Sequence, residues 1–156
     1  VQGFEGKIKN SKNVMELLSG EAGFAKQLYK YAAERTETEN FCRDPSAGDL
    51  ANDFLNHGNY LAYGLAATVL WVLGIPHGFA LMHGKTRRGA LVFDVADLIK
   101  DTLVLPLAFI CAREGMKQKE FRQQCLQKFT EHKALDFMFD EIKKQSLAWQ
   151  KSGVLK

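Results

Sequence analysis

Glu21, His83, Asp94 and Asp97 are the side chains of this sequence whose type and spacing least suit a plain helical core. Glu21 falls on an apolar stripe, three residues after Leu18 and four before Ala25. A carboxylate buried there without a partner is costly. It should therefore reach a partner or line a cleft, unless it is simply exposed near the start of its helix. Asp94 and Asp97 interrupt the apolar run from Leu91 to Ile99. Their i, i+3 spacing places both on one helix face. Like charges so close repel, which raises one pKa unless a cation sits between them. On that reasoning Asp97→Ala relieves a repulsion and stabilises the metal-free chain. Lys100 is one candidate for the cation, and Asp94 could instead cap the helix. His83 precedes a glycine-bounded basic loop, Gly84-Lys85-Thr86-Arg87-Arg88-Gly89. A lone histidine is commonly structural, so its meaning depends on its neighbours.

Taken together, these residues supply three carboxylates and one imidazole. That set suits Mg²⁺ or Mn²⁺, because hard oxygen ligands favour these ions and imidazole tilts the balance towards Mn²⁺. Zinc fits less well, since no cysteine lies near these positions. Gly84-Lys85-Thr86 is not a phosphate-binding P-loop: that pattern needs glycine at position 79, which is Phe79. His57 and His77 stand alone and read as structural. His132, beside Glu131 and near Asp136, reads as a solvated helix end, and Asp140 and Glu141 face Lys143 and Lys144.

The elements that must position these residues are helical. Val14, Leu17, Leu18, Ala25, Leu28, Tyr29 and Ala32 recur at helical spacing and predict a helix over about 14–35. Residues 37–48 are polar and carry Pro45, as a loop does. A long helix follows over about 49–73, stopped by Gly74-Ile75-Pro76. Residues 77–92, rich in glycine, predict a brief hairpin or an irregular connection. A third helix is expected from near Asp94 to about Arg113, kinked or split by Pro106. Phe121, Cys125, Leu126 and Phe129 mark a fourth over about 117–132. Leu135, Met138, Phe139, Ile142 and Trp149 mark a fifth over about 134–150. The expected class is mainly α: a single helical domain of about five to seven helices with at most a short hairpin.

The length of 156 residues suits one domain with a sizeable core. Apolar residues make up 46% and charged residues 25%, which excludes a disordered chain. A net charge of +3 permits a nucleic-acid partner without indicating one. Three cysteines with no C-x-x-C pair argue against a disulfide framework and for a reducing cytosol. The start of the chain lacks the pattern of a secretory leader. The most apolar stretch, Tyr60 to Met82, is broken near Gly74, short of the roughly 20 residues a membrane span needs.

Gly20-Glu21 followed by a helix with Tyr29 resembles the glutamate motif of the CRISPR adaptation integrase (Cas-one). Met82-His83-Gly84, followed by Asp94-Val95-Ala96-Asp97-Leu98-Ile99-Lys100, resembles that family's histidine and paired-aspartate motifs, in the same order and at the same interval. Tyr63-Gly64, on the long helix before the histidine, agrees as well. The similarity covers about 11–110 well, and the basic loop looks most like the branch that accompanies type I-F systems.

The resemblance implies a metal-dependent DNA endonuclease and integrase that inserts foreign spacers into a CRISPR array. Glu21, His83 and Asp97 would bind Mg²⁺ or Mn²⁺, and Asp94 would support them. Lys85, Arg87, Arg88 and Lys100 would contact DNA phosphates. Tyr63 would lie near the active site, with core packing as its other role. The implied partners are prespacer and repeat DNA, the Cas-two protein (fused to a helicase-nuclease in type I-F) and, in the full-length protein, a second copy. The implied location is the prokaryotic cytoplasm, with no membrane. Residues 1–156 would form the C-terminal helical domain, without the β-rich N-terminal domain of family members. The competing reading is a non-catalytic helical DNA- or protein-binding module whose acidic residues form a buried polar network. A third is a regulatory or structural helical domain with no nucleic-acid role.

Overall fold

The structure is a computed structural model that describes residue 6 and residues 10–78 and 89–152. The side chains of residues 148–152, Trp149 among them, lie outside the described residues, as does the segment 79–88. The described elements are helices throughout: α1 (Val14–Arg35), α2 (Leu50–Val72), α3 (Ala90–Ile99), a π-helical turn (Lys100–Val104), α4 (Leu105–Arg113), α5 (Gln118–Glu131) and α6 (Ala134–Ser152). No strand occurs among the described residues, and no described helix is long and apolar enough to cross a membrane.

Local sequence explains the ends of these helices. Asn13 caps α1, its side-chain oxygen accepting from the Glu16 amide at 2.9 Å. The Glu16 carboxylate in turn accepts from the Lys12 amide at 2.9 Å, so the residues before the helix and its first turn are tied to each other. Gly74 closes α2 with a left-handed φ of 67°, and the Ile75 amide reaches back to the Leu70 carbonyl at 2.9 Å.

α2 is the central helix. α3, the π turn, α4, α5 and α6 all pack on it, while α1 packs on α4. Phe54, Leu55, Ala62, Ala66, Val69 and Leu70 are its fully buried face. Phe54 stacks on Phe121 of α5, with ring centroids 4.5 Å apart. Gly58 lets the π turn come close: a Cβ there would lie 2.3 Å from Cγ1 of the buried Val104.

The third predicted helix differs from expectation at both of its landmarks. It begins at Ala90 rather than near Asp94, with Gly89 as its N-cap at φ 70°. Asp94 therefore lies in the second turn and does not cap the helix. The split expected at Pro106 takes the form of the π turn. Pro106 has no N–H to offer the carbonyl four residues back, and the Leu105 amide bonds the Lys100 carbonyl instead. The extra residue resets the buried stripe: Leu91, Val95 and Ile99 are continued by Val104, Ala108 and Cys111. The step from Ile99 to Val104 is thus five residues long, which brings the apolar face of α4 back onto α2.

Candidate active site

α3 carries the paired aspartates on the flank of its buried stripe, and both are half-buried. The ammonium of Lys100 donates to Oδ1 of Asp97. Their side chains are only 21% and 24% exposed. The same ammonium lies 5.4 Å from the centroid of the Tyr63 ring, within cation–π range. Tyr63 is held in turn by Phe93, edge to face at 4.7 Å, and by Tyr60 at 6.2 Å. Three residues singled out in the sequence, Tyr63, Asp97 and Lys100, thus meet at the junction of α2, α3 and the π turn. Lys100 is the cation beside the aspartate pair, as one of the two sequence alternatives had it.

The electrostatics follow from this crowding. Desolvation works most strongly on the Lys100 ammonium and lowers its pKa, but the charge and hydrogen bond of Asp97, with Tyr63 and Asp101, together hold it above its ordinary value. Desolvation also pushes the neighbouring Asp101 carboxyl up, against the pull of Lys100 and with the help of Asp97. Tyr29 on α1 belongs to the same field: desolvation raises its phenol, and Arg43, Asp101 and Lys100 act on it.

Glu21 is half-buried on α1. Among the described residues, no three His, Cys, Asp or Glu side chains group closely enough to hold a metal ion. Glu21, Asp94 and Asp97 therefore do not complete a three-ligand site among themselves. His83, the fourth candidate, and Lys85, Arg87 and Arg88 of the basic loop lie outside the described residues. The donor chemistry itself, carboxylate oxygens on a half-buried flank, is of the kind that hard divalent cations take. His132 is exposed at the end of α5, and Glu141 pairs with Lys144 at 3.3 Å, as expected of solvated positions.

A second polar cluster, not among the residues singled out from the sequence, lies around Asn52. The side chain of Asn52, a residue 1% exposed on α2, makes four hydrogen bonds. Its amide donates to the Cys42 carbonyl at 2.9 Å and to Asp49 at 2.7 Å, and its oxygen accepts from the Asp44 amide at 3.0 Å and from Arg43 at 2.8 Å. Arg43 also donates to Asn56 at 2.6 Å, and its positive charge acts on Tyr29. The 37–48 loop is thereby tied to α2 beside α1. The available signal was an asparagine inside an apolar helix face, since a buried amide needs partners. A pocket of about 500 Å³ opens next to it, lined by Lys26, Lys30 and Arg43 but also by Glu34, Glu37 and Glu39. Its charges balance, so it offers a polyanion no net attraction.

No family model matches the chain. Two relatives match most of it, however. It is 56% identical over 138 residues, 87% of its length, to the CRISPR-associated endonuclease Cas1 of Pseudomonas aeruginosa (strain UCBPP-PA14). It is 55% identical over 143 residues, 90% of its length, to the protein of the same name from Pectobacterium atrosepticum. In each case the match spans 43% of the relative's own length. Among solved structures, the crystal structure of a TtCas1–DNA complex superposes with a TM-score of 0.78 at 21% identity, over 86% of this chain and 53% of that one. A TtCas1 crystal structure gives 0.72 at 22% identity, over 83% and 50%. The helical arrangement is shared with both, and over the region it has in common with its two bacterial relatives the chain belongs to the Cas1 family.

Proposed function

We propose that the chain is the helical catalytic domain of a Cas1 integrase. In this reading it performs metal-dependent phosphodiester chemistry on DNA during CRISPR adaptation. The observation that carries it is the half-buried Asp97 and Asp94 pair on α3, set beside Lys100 and Tyr63, in a chain 56% identical to a protein named CRISPR-associated endonuclease Cas1. Glu21, His83 and Asp97 would hold the ion, and Asp94 would support Asp97 from one turn away. Mg²⁺ or Mn²⁺ held there would supply Lewis acidity to a phosphoryl oxygen. Lys100 and the loop residues Lys85, Arg87 and Arg88 orient the DNA backbone, which supplies affinity rather than sequence reading. Tyr63, its ring 5.4 Å from the Lys100 ammonium, lines one side of the site.

The DNA partner is supported by the likeness to the crystal structure of a TtCas1–DNA complex. The Cas-two partner, the homodimer of the full-length protein and the prokaryotic cytoplasm belong to the same proposal. So does the assignment of residues 1–156 to the C-terminal domain. Integration needs two DNA substrates held in line, and these residues offer only part of that surface. By themselves they are expected to bind metal and to integrate a prespacer poorly.

The competing reading, a helical DNA- or protein-binding module, draws on one observation: Asp97 already has a counter-ion, and the described carboxylates make no three-ligand group. Thermal unfolding with added Mn²⁺ separates the two. A cation that binds the native state alone, at 100 times its Kd, stabilises by about 2.7 kcal/mol, or about 5–11 °C for a chain of this size. Asp97→Ala should abolish that gain. An equal gain in wild type and variant places the ion elsewhere and favours the binding module.

A further inference from the structure

Lys100 occupies a position that a metal-binding carboxylate would ordinarily keep for its ion. We propose that its ammonium is an exchangeable counter-ion: it holds Asp97 in the absence of a divalent cation, and it moves to a DNA phosphate when the carboxylate takes that cation. The inference rests on the reading of Asp97 as a ligand and deepens it by coupling metal binding to DNA binding through one side chain.

Three features support the exchange. The ammonium sits on Asp97 Oδ1 and both side chains are only 21% and 24% exposed, so a cation taking that oxygen competes with it directly. Two positive groups on one oxygen repel strongly where water is scarce. The chemistry of the side chain suits release as well. A lysine is a point charge on a flexible stem, with three rotatable donors, whereas an arginine fork would grip the carboxylate at two points. The surroundings, finally, are fixed around the lysine side chain. The ammonium rests over the Tyr63 ring at 5.4 Å, and that ring is pinned by Phe93 at 4.7 Å. Lys100 opens the π turn, and its carbonyl is engaged by the Leu105 amide, so the backbone is anchored and the exchange falls to the side chain.

The test measures Mn²⁺ binding directly, from the electron paramagnetic resonance signal of the free ion, on the 156-residue chain. Lys100→Met keeps the length and removes the charge. It should bind Mn²⁺ about fivefold tighter than wild type, the size expected when a competing ion pair is removed. Lys100→Arg should bind more weakly than wild type, because the fork holds the carboxylate better. This second variant decides the matter if the first does not fold. Wild-type affinity in both variants overturns the exchange but leaves the metal site standing, provided that Asp97→Asn abolishes binding in each. No Asp97-dependent site in any of them sinks the metal-site reading and the exchange with it. The DNA half of the proposal is read from salt dependence on a short duplex. With Mn²⁺ present, the wild-type log–log slope should exceed that of Lys100→Met by about 0.7–0.9, one phosphate contact, and without Mn²⁺ the two should coincide. Equal slopes in the presence of Mn²⁺ refute delivery of the ammonium to DNA.

Discussion

Gly58→Ala probes the contact on which the whole helical packing turns. The added Cβ would lie 2.3 Å from Val104 Cγ1 and 3.3 Å from Phe121 Cζ. Neither neighbour yields easily. Val104 is β-branched, 1% exposed and part of the π turn, and Phe121 is stacked on Phe54. Overpacking of this kind costs about 1–3 kcal/mol, and the 2.3 Å approach argues for the upper half of that range. Against it stands the helix-propensity gain of alanine over glycine, about 1 kcal/mol. The net expectation is a loss of about 1–2 kcal/mol, or a Tm lower by about 2–8 °C. Thermal and urea unfolding followed by circular dichroism at 222 nm measure it. The double variant Gly58→Ala/Val104→Ala supplies the control. Removing the opposing methyl groups should make the alanine at 58 less costly than it is in the wild-type background, giving a coupling energy of the sign that relieves a clash. A single variant more stable than wild type, by the propensity gain, would mean that α2 and the π turn do not approach so closely, and the register argument for the five-residue step would fail with it.

Three further outcomes follow from the site and its supports. Metal-free Asp97→Ala should melt about 2–4 °C below wild type, because Lys100 loses the partner of a half-buried pair; a higher Tm would restore the repulsion argument drawn from the bare sequence. Replacing Lys85, Arg87 and Arg88 together by alanine should weaken DNA binding and lower its log–log salt slope by about 0.7–0.9 per lost phosphate contact; an unchanged slope moves the DNA path off this loop. Asp49 caps α2. Desolvation raises its carboxyl, but the Asn52 side-chain and backbone N–H groups pull it below the ordinary value. A depressed folded pKa gives stability that is present above the unfolded value, near 3.8, and lost as pH falls through the folded one. Asp49→Ala should therefore cost about 1 kcal/mol at neutral pH and progressively less below about pH 4, measured as Tm against pH; a cost independent of pH would refute the role of the charged form.

Much of this protein was legible in its sequence because the information was local. Apolar residues at helical spacing marked the helices, and Gly74 and Pro76 marked the end of α2, since capping and backbone geometry involve residues only a few positions apart. The i, i+3 aspartates, with Lys100 three residues further on, lay on adjacent turns of one stretch of chain, so their mutual influence could be anticipated. Tertiary structure alone decided the rest. That Lys100 shelters under Tyr63 depends on α3 docking against α2. That α3 starts at Ala90, leaving Asp94 within it, depends on Gly89 taking a positive φ as the N-cap where the chain joins the helix. Arg43, Asn52 and Asn56 became a network only when the 37–48 loop folded back on α2, because buried amides and guanidinium groups take their partners from whatever the fold brings near. The π turn has the same origin: Pro106 announced a break, but its width was set by the need to bring the apolar face of α4 back onto α2 at Gly58.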